Sequence, residues 1–549
     1  MKKALYRGLT ALTLSTALVS LSTSCTKDLD QTPKYEVTPD KVYQNLAGYK
    51  QVLSKLYGGF ALTGPSGPGS GDIVGIDAGT SDYIRQWWSA QELTTDEAVI
   101  AWNDPGVQEW HRMNWDASDP LTRGFYSRLY YEIAICNEFL RESTDEKLSS
   151  RLGSGEMGQG KMYRAEARFL RAVAYSHVVD LYGNGPFVTE QNPVGGPLPT
   201  YATRQQLYNF VESELVALTT DLAPARSNEY GRVDQAAAHG FLSRLYLNAG
   251  VYTGTPQFAK AATEAKAVID AGYSLTTTAA TPVASAYGRL FLADNNMAPT
   301  KNEIIWPVIF DVNSVQSYGG TTFIVNGATS GADAVWQSIV GETTGWGGLR
   351  TTSALFDKFF LAGGDTARDR RGRFYTRGQT LAINDISQFT QGLGVLKFRN
   401  VTSAGTPQGA SLNFSSVDFP MLRLSDMMLV YAEAATRGGA DRATALSYVN
   451  QIRRRAFGLP IATASATADI TDAQMTTDFI LDERARELHW EGSRRTDLIR
   501  YGKFTDASYL WPWKGGVANG QAVDPKFRLF PIPAADLTAN PNLRQNSGY

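Results

Sequence analysis

The clearest fold signal in the chain is Gln235-Ala-Ala-Ala-His-Gly-Phe-Leu-Ser-Arg-Leu-Tyr-Leu-Asn-Ala249, followed by a turn over 250–256 and a return over 258–271. In both arms the apolar residues recur at spacings of three and four, which predicts two amphipathic helices. Small residues in the return arm allow the helices to pack closely, and Gly272 ends that arm. The stretch therefore predicts a helical hairpin of the tetratricopeptide kind.

Similar patterns extend this prediction over much of the chain. Helical hairpins are predicted near 161–182, 235–272, 425–456 and 478–500. Because such a hairpin cannot bury its apolar face alone, several should pack into one scaffold. Long insertions separate them, so a regular solenoid is not expected. We predict a mainly α fold, in which tetratricopeptide-like hairpins form a scaffold and a large irregular part, with loops and short strands, binds the ligand.

Two insertions, near 60–120 and 304–420, have the composition of a binding region. The first contains Arg85-Gln-Trp-Trp-Ser89 and Trp102-Asn-Asp-Pro105, and the second is rich in glycine and aromatic residues. Loops on a rigid scaffold often carry binding residues. Flat aromatic rings match the CH-rich faces of sugar rings, while Asn, Asp and Arg side chains can bind the hydroxyl groups. The insertions are therefore predicted to form a sugar-binding surface.

Seven residues of these insertions are the candidates for binding. Any single tryptophan among them has core packing as its alternative role. We predict stacking platforms at Trp87 or Trp88, Trp336 and Trp346, a further ring at Tyr318, and hydrogen-bonding partners at Arg399 and Asp72. Three other tryptophans lie in helix-like contexts and are predicted to be packed: Trp110, Trp115 and Trp490.

The N-terminus is typical of an exported lipoprotein. A basic start precedes the apolar run Leu9–Leu21, which is shorter than the roughly 20 residues of a membrane-spanning helix. Small residues then lead into Cys25, the predicted lipidation site, although ordinary cleavage with an incidental cysteine is the alternative. We predict a signal peptide at 1–24, a lipidated cysteine and tether at 25–37, and a single domain at 38–549.

The charge balance argues against a nucleic-acid partner. The chain has 549 residues, with 52 Lys and Arg against 54 Asp and Glu, for a formal net charge of −2. Removal of the signal peptide takes away three basic residues and no acidic one, so the mature chain reaches −5. A mildly acidic chain offers no basic surface for a phosphate backbone.

Catalytic and metal-binding signatures are missing from the sequence. It has no phosphate-binding loop, His-Glu-x-x-His, Gly-x-Ser-x-Gly or Cys-x-x-Cys motif, and its four histidines are scattered. Glu487 and Glu491 lie one helical turn apart, but arginines surround them. Asp482 with Arg486 and Glu491 with Arg495 are spaced as i,i+4 partners, which favours an ion-pair network over an acid/base pair. We predict a protein that is not an enzyme and has no cofactor and no metal site; a structural calcium ion cannot be read from the sequence.

Four motifs occur in order along the chain: Arg164-Ala-Glu-Ala-Arg-Phe-Leu-Arg-Ala172, Asp180-Leu-Tyr-Gly-Asn-Gly-Pro-Phe187, Asp482-Glu-Arg-Ala-Arg-Glu-Leu-His-Trp-Glu-Gly-Ser-Arg-Arg-Thr-Asp-Leu-Ile-Arg500, and Leu529-Phe-Pro-Ile-Pro533 with Asn540-Pro-Asn-Leu543. Together they resemble the SusD/RagB family, as does the segment that begins at Cys25. The motifs belong mainly to the scaffold. They therefore identify a family and say little about the ligand.

The resemblance implies a lipoprotein anchored on the outer face of the outer membrane through its lipid. Such a protein caps a SusC-like TonB-dependent barrel and captures oligo- or polysaccharide for import, without catalysis. Asp28 and Asp30, just after Cys25, resemble the surface-export signal of such lipoproteins. Two other hypotheses remain open: a peptide-capturing or purely structural lid of the transporter, and a surface glycoside hydrolase. The sugar, its linkage and the stoichiometry with the barrel stay open as well.

Overall fold

The computed structural model describes residues 38–360, 368–408 and 413–549. The predicted signal peptide at 1–24, the lipidation site Cys25 and the tether at 25–37 lie outside the described residues. Within them, 21 α-helices and only short strands confirm the mainly α prediction. No helix of the described part is long and apolar enough to span a membrane.

The helices account for most of the regular structure. Those of the first half are Pro39–Val42, Leu46–Gly58, Ala78–Ser81, Tyr83–Glu92, Val107–Arg112, Pro120–Glu142, Asp145–Arg151, Met157–Leu181, Arg204–Asp221, Gln235–Leu247, Ala249–Thr253 and Phe258–Asp270. Those of the second half are Ala286–Arg289, Gly320–Gly327, Ala334–Val340, Ser353–Phe360, Leu424–Thr436, Arg442–Ala456, Thr477–Leu488, Arg494–Arg500 and Ala534–Ala539. Short 3-10 helices lie at Thr300–Asn302, Asp472–Gln474, Lys514–Gly516 and Pro525–Arg528.

The strands pair as two-stranded antiparallel sheets. The pairs are Val99–Ile100 with Leu349–Arg350, Gly185–Phe187 with Thr200–Ala202, Ile304–Val308 with Phe419–Arg423, and Phe374–Tyr375 with Gly394–Val395. Two of these sheets join segments more than a hundred residues apart. The sheet of Val99–Ile100 and Leu349–Arg350 joins the two insertions to each other, and the sheet of Ile304–Val308 and Phe419–Arg423 joins the second insertion to the strand that leads into helix Leu424–Thr436.

The helical hairpin read from the sequence is present in the scaffold. Helix Gln235–Leu247 begins at the N-cap Asp234, whose carboxylate accepts from the backbone N–H groups of Ala236 and Ala237. It packs against Phe258–Asp270, which in turn packs against Leu424–Thr436. The buried faces of these helices belong to one large apolar cluster that runs through the described residues. Packing between hairpins therefore supplies the core.

Two of the predicted hairpin ranges differ in detail from the prediction. The range 161–182 is part of one continuous helix, Met157–Leu181, which finds its partners in Pro120–Glu142 and Arg204–Asp221. The range 478–500 contains two helices separated by a break, where Trp490 and Gly492 have positive φ angles of 63° and 75°. Helical spacing alone does not show where such a break falls.

The buried helix Leu424–Thr436 carries one end of a charged network in the scaffold. Asp426 accepts from Arg244 Nε at 2.8 Å and from Arg484 Nη1 at 3.0 Å. Burial by itself raises the pKa of Asp426, but the attraction of the two arginines is stronger and lowers the pKa to about 2. The carboxylate is therefore ionised in the folded protein at any pH above that value.

This depressed pKa predicts a pH-dependent effect of Asp426→Asn. Because the folded pKa lies below the unfolded one, the ionised carboxylate stabilises the fold above about pH 4, by on the order of 2 kcal/mol, and this stabilisation is lost as the pH falls through about 2. The variant should be less stable than wild type at about pH 6, and the difference should shrink toward about pH 2. Urea unfolding across this range measures it.

The matched control is Asp478→Asn, in an exposed pair with Lys503. It should change the free energy of unfolding little at any pH. If Asp426→Asn lowers the free energy of unfolding by the same amount at about pH 6 and about pH 2, the stabilisation does not come from the ionised carboxylate.

Candidate functional site

One short sheet brings together two tryptophans that are 244 residues apart in sequence. Strand Val99–Ile100 ends just before Trp102, and strand Leu349–Arg350 begins just after Trp346; the antiparallel pairing puts both rings at the same end of the sheet. The ring centroids are 6.3 Å apart with an interplanar angle of 43°. Nε1 of Trp102 donates to the carbonyl oxygen of Trp346 at 3.3 Å, which fixes the relative position of the two residues.

Tyr318 adds a third ring beside Trp346. The centroids of Tyr318 and Trp346 are 6.3 Å apart, with an interplanar angle of 55°, and Tyr318 also packs on Phe414 at 5.1 Å. Tyr318 is 44% exposed, and Trp102 and Trp346 are half-buried. We call Trp102, Trp346 and Tyr318 the aromatic arc. It is a solvent-accessible row of rings with Trp346 in the middle.

The loop that carries Tyr318 is held by the buried carboxylate of Asp82. Ser317 Oγ donates to Asp82 at 2.7 Å, and the N–H of Gly320 donates to it at 3.3 Å. A Cβ at Gly319 would lie 1.9 Å from the carboxyl carbon of Asp82, so only glycine allows this close approach. Hydrogen bonds to Asp82 and the close approach of Gly319 therefore hold the backbone around Tyr318, and the exposed ring is not needed to keep it in place.

Trp346 is held in the same way through its backbone. Its N–H donates to the carbonyl oxygen of Asn326 at 2.8 Å, and the N–H groups of Gly347 and Gly348 donate to carbonyl oxygens at the end of helix Gly320–Gly327. The indole ring takes no part in these bonds. The ring is therefore free to contact a ligand while its backbone stays in place.

A cation lies behind the arc. The guanidinium of Arg85 is 4.6 Å from the ring centroid of Phe323 and 5.8 Å from that of Trp102. Burial lowers its pKa, against the opposing effect of Asp82 and other nearby carboxylates. The side chain donates no hydrogen bond within the described part of the chain. Arg85 is therefore the basic group best placed to bind hydroxyl groups of a ligand on Trp102.

Two of the predicted platforms lie in the core. Trp87 and Trp88 belong to helix Tyr83–Glu92, which is buried on nearly all sides, and they are 3% and 0% exposed. Trp87 stacks on His177 at 5.3 Å, and Trp88 donates from Nε1 to the carbonyl oxygen of Trp490 at 2.9 Å. This corrects the expectation that either ring offers a face to ligand. The segment is a buried helix where the composition indicated a loop.

Trp336 is also covered. Its ring stacks on Tyr375 at 4.1 Å and on Phe389 at 5.5 Å, with interplanar angles of 22° and 24°, and the side chain is 1% exposed. The expectation of a free stacking face at Trp336 is corrected, because the ring is buried and already stacked on two other rings. Trp110, Trp115 and Trp490 are buried, as predicted.

The two predicted polar partners are engaged elsewhere. Arg399 is 4% exposed and donates to the carbonyl oxygen of Val283 at 3.0 Å. Asp72 forms an ion pair with the buried Arg128 at 2.5 Å. The structure corrects both expectations, because Arg399 is itself buried and Asp72 is paired with a buried arginine. The glycine-rich loop before Asp72 does reach the arc: a Cβ at Gly69 would lie 3.9 Å from the Tyr318 ring.

Of the seven candidates, the structure brings together Trp346 and Tyr318, and it adds Trp102 and Arg85. The sequence shows Trp102 in the same insertion as Trp87 and Trp88, but gives no reason to prefer it. The signal that finds Trp102 is the pairing of its strand with the strand after Trp346. That pairing is visible only in the folded chain.

Glu487 and Glu491 are not arranged as an acid/base pair. Both are buried and carry ion pairs, as predicted: Glu487 with Arg371, Arg423 and Arg455, and Glu491 with Lys397 and Arg423. Burial raises the pKa of Glu487, but the arginines lower it well below its usual range. The i,i+4 pairs expected from the sequence are wrong: Asp482 pairs with Lys358, and Arg495 donates to backbone carbonyl oxygens.

Metal ligation is not indicated in the part of the chain that the structure describes. There, no group of three or more His, Cys, Asp or Glu side chains is arranged to hold a metal ion. Cys136 is fully buried in helix Pro120–Glu142, where burial raises its thiol pKa. It is therefore a core residue and not a nucleophile.

Comparison with known proteins finds matches along the whole chain. The model of the SusD family matches residues 370–549, and the family model described as "Starch-binding associating with outer membrane" matches residues 74–247. The chain is 32% identical over 593 aligned positions to the Starch-binding protein SusD of Bacteroides thetaiotaomicron, and the alignment covers 100% of both chains.

Solved structures have the same fold. A SusD homolog from Bacteroides thetaiotaomicron matches with a TM-score of 0.72 and 20% identity, covering 94% of this chain and 99% of that one. The surface glycan-binding protein A of the same organism, solved in complex with laminarihexaose, matches with a TM-score of 0.67 and 19% identity, covering 91% and 99%. At these identities the likeness shows the fold.

Proposed function

The chain belongs to the SusD family, and on that basis we propose that it is a glycan-binding protein of the outer membrane. It captures oligo- or polysaccharide by aromatic stacking and hydrogen bonding, without catalysis, and delivers it to a SusC-like TonB-dependent transporter. The observation that carries this proposal is the aromatic arc. Three solvent-accessible rings on a fixed backbone, with a guanidinium behind them that donates to none of the described residues, suit the binding of sugar rings and their hydroxyl groups.

The strength of binding expected from such a site is modest. A dissociation constant of about 1 mM corresponds to only about −4 kcal/mol, and a few stacked rings with one or two hydrogen bonds supply that much. Weak binding suits a capture protein, because a polysaccharide offers many equivalent sites and must also be released to the transporter. The ordered backbone under Trp346 and Tyr318 keeps the entropic cost of binding low.

The geometry of the arc favours a curved glycan. Successive rings are inclined by 43° and 55°, so a ligand that stacks on all three must turn from one sugar unit to the next. α-1,4-Linked glucans turn in this way, whereas β-1,4-linked glucans form flat ribbons. The full-length relative is a starch-binding protein. We therefore propose a starch-type α-glucan as the ligand.

This choice of ligand predicts a selectivity that calorimetry can measure. Maltoheptaose should bind with a dissociation constant on the order of 1 mM or lower, and cellohexaose should bind at least about tenfold more weakly, because a flat ribbon contacts only part of the arc. Laminarihexaose, a curved β-1,3-glucan, separates the effect of curvature from that of linkage. Chromatography of the ligand after incubation should show no shortened products.

Two outcomes would contradict the proposal. If cellohexaose binds as tightly as maltoheptaose, the arc does not select curvature. If maltoheptaose is cleaved by the purified protein, the function is hydrolysis and not capture.

Attachment to the membrane is proposed to occur through Cys25. Diacylation at this cysteine places two acyl chains in the bilayer, enough for stable anchoring. The SusC-like barrel is the partner that family membership implies. Retention of the full-length protein in the outer-membrane fraction, and its release by Cys25→Ser, would support this part of the proposal; membrane retention of the Cys25→Ser protein would contradict it.

A further inference from the structure

A second cleft lies next to the segment 345–347, which carries Trp346 of the aromatic arc. The cleft is open, has a volume of about 380 Å³, and is lined by Trp336 and Phe389 with Asp333, Arg377 and Ser330 among its polar residues. All of these residues lie in the described part of the chain. None of them belongs to the arc.

The cleft and the arc are direct neighbours. Gly347 follows Trp346 in sequence, and a Cβ at Gly347 would lie 3.7 Å from the ring of Phe389. Phe389 therefore packs against the residue that follows Trp346, so a glycan chain stacked on Trp346 can extend toward Phe389. Gly345 and Gly347 have no side chains that could block a glycan chain between the two sites. Gly347 also has a φ of +60°, a conformation that favours glycine.

The floor of the cleft is aromatic and rigid. Phe389 is half-buried and stacks on the buried Trp336, which also stacks on Tyr375. The hydroxyl of Tyr375 donates to Asp333 at 2.6 Å, and Asp333 also caps helix Ala334–Val340 by accepting from the N–H groups of Val335 and Trp336. The stack is therefore fixed before any ligand arrives.

A free cation lies beside this stack. Arg377 is exposed and forms no hydrogen bond or ion pair with any described residue. Val335, at the rim, is 45% exposed. Apolar surface next to a free guanidinium is the chemistry that binds the CH face and the hydroxyl groups of a sugar.

We propose that this cleft is a second glycan subsite, which binds further units of the same chain that stacks on the aromatic arc. The proposal rests on the glycan-binding function proposed above. In the extended site, Phe389 provides an additional apolar contact and Arg377 donates to hydroxyl groups. The protein thereby prefers chains long enough to cross the glycine-containing segment over short oligosaccharides.

The test compares short and long ligands in calorimetric titrations. Wild type should bind maltoheptaose about five- to tenfold more tightly than maltotriose, because only the longer chain occupies both the arc and the cleft. Phe389→Ala should leave the affinity for maltotriose within about twofold of wild type and remove most of the gain with length. Arg377→Ala should reduce the same gain by about threefold or more.

Arg377 is exposed and unpaired, so Arg377→Ala keeps the test decisive if Phe389→Ala disturbs the stack. Trp346→Ala is the control for the arc and should weaken both ligands. If Trp346→Ala abolishes binding but Phe389→Ala and Arg377→Ala bind maltoheptaose like wild type, the cleft proposal alone is overturned. If wild type binds neither ligand, the proposed function fails as well.

Discussion

Trp346→Ala is expected to weaken maltoheptaose binding by about 30-fold or more. Trp346 is the central ring of the arc, 6.3 Å from both Trp102 and Tyr318. Its removal separates the two remaining platforms, so the loss is that of a central hot spot, about 2 kcal/mol. Isothermal titration calorimetry of the purified protein measures the effect.

The fold should survive this substitution. The backbone bonds of Trp346 to Asn326 and Trp102 do not involve the indole ring, and the ring is only half-buried. Tyr201→Ala, which removes another half-buried ring on a strand distant in sequence from the arc, is the matched control and should keep wild-type affinity. If Trp346→Ala unfolds at the same temperature as wild type and binds maltoheptaose as tightly, the arc is not the binding site.

Arg423→Ala should destabilise the fold by about 3–5 kcal/mol. Arg423 lies on strand Phe419–Arg423 and is buried between two carboxylates, with Nε 2.6 Å from Glu491 and Nη1 2.6 Å from Glu487. Without it, these buried carboxylates lose a shared partner in a region that water does not reach. Urea unfolding monitored by tryptophan fluorescence gives the change in the free energy of unfolding.

The control for this prediction is Arg442→Ala. Arg442 also pairs with a carboxylate, that of Asp472 at 2.9 Å, but both side chains are exposed. Removing it should change the free energy of unfolding by less than about 1 kcal/mol. If the two substitutions lower the free energy of unfolding equally, burial does not strengthen the ion pairs of Arg423, and the prediction is wrong.

Local patterns in the sequence were sufficient for the scaffold. Helix Gln235–Leu247 and the return helix Phe258–Asp270 are predictable because the spacing of apolar residues and a terminal glycine act over a few residues. The arginines of helix Met157–Leu181 could also be expected to pair with carboxylates, as Arg168 does with Glu214 and Asp221. Such features depend on which residues share a helix face.

The binding residues could be predicted only in part. Trp88 and Trp346 both lie in the insertions that are predicted to bind the ligand, yet Trp88 is buried against Trp490, and Trp346 is half-buried at the surface. Exposure depends on which distant segments cover a ring. Trp102 was missed for the same reason, because only the pairing of its strand with Leu349–Arg350 places it beside Trp346.

The ion pairs show the same limit. The i,i+4 spacing predicts that Glu491 pairs with Arg495. In the structure the ion-pair partners of Glu491 are Lys397 and Arg423. Both partners are distant in sequence. A helix with one buried face must pair its buried charges with whatever element packs on it, and the sequence of the helix does not name that element.

A crystal structure of the protein with bound maltoheptaose tests the aromatic arc most directly. Consecutive glucose units should stack on Trp102, Trp346 and Tyr318, with the guanidinium of Arg85 in hydrogen-bonding range of a hydroxyl group. Well-ordered sugar bound at another surface, with these three rings uncovered, would contradict this prediction.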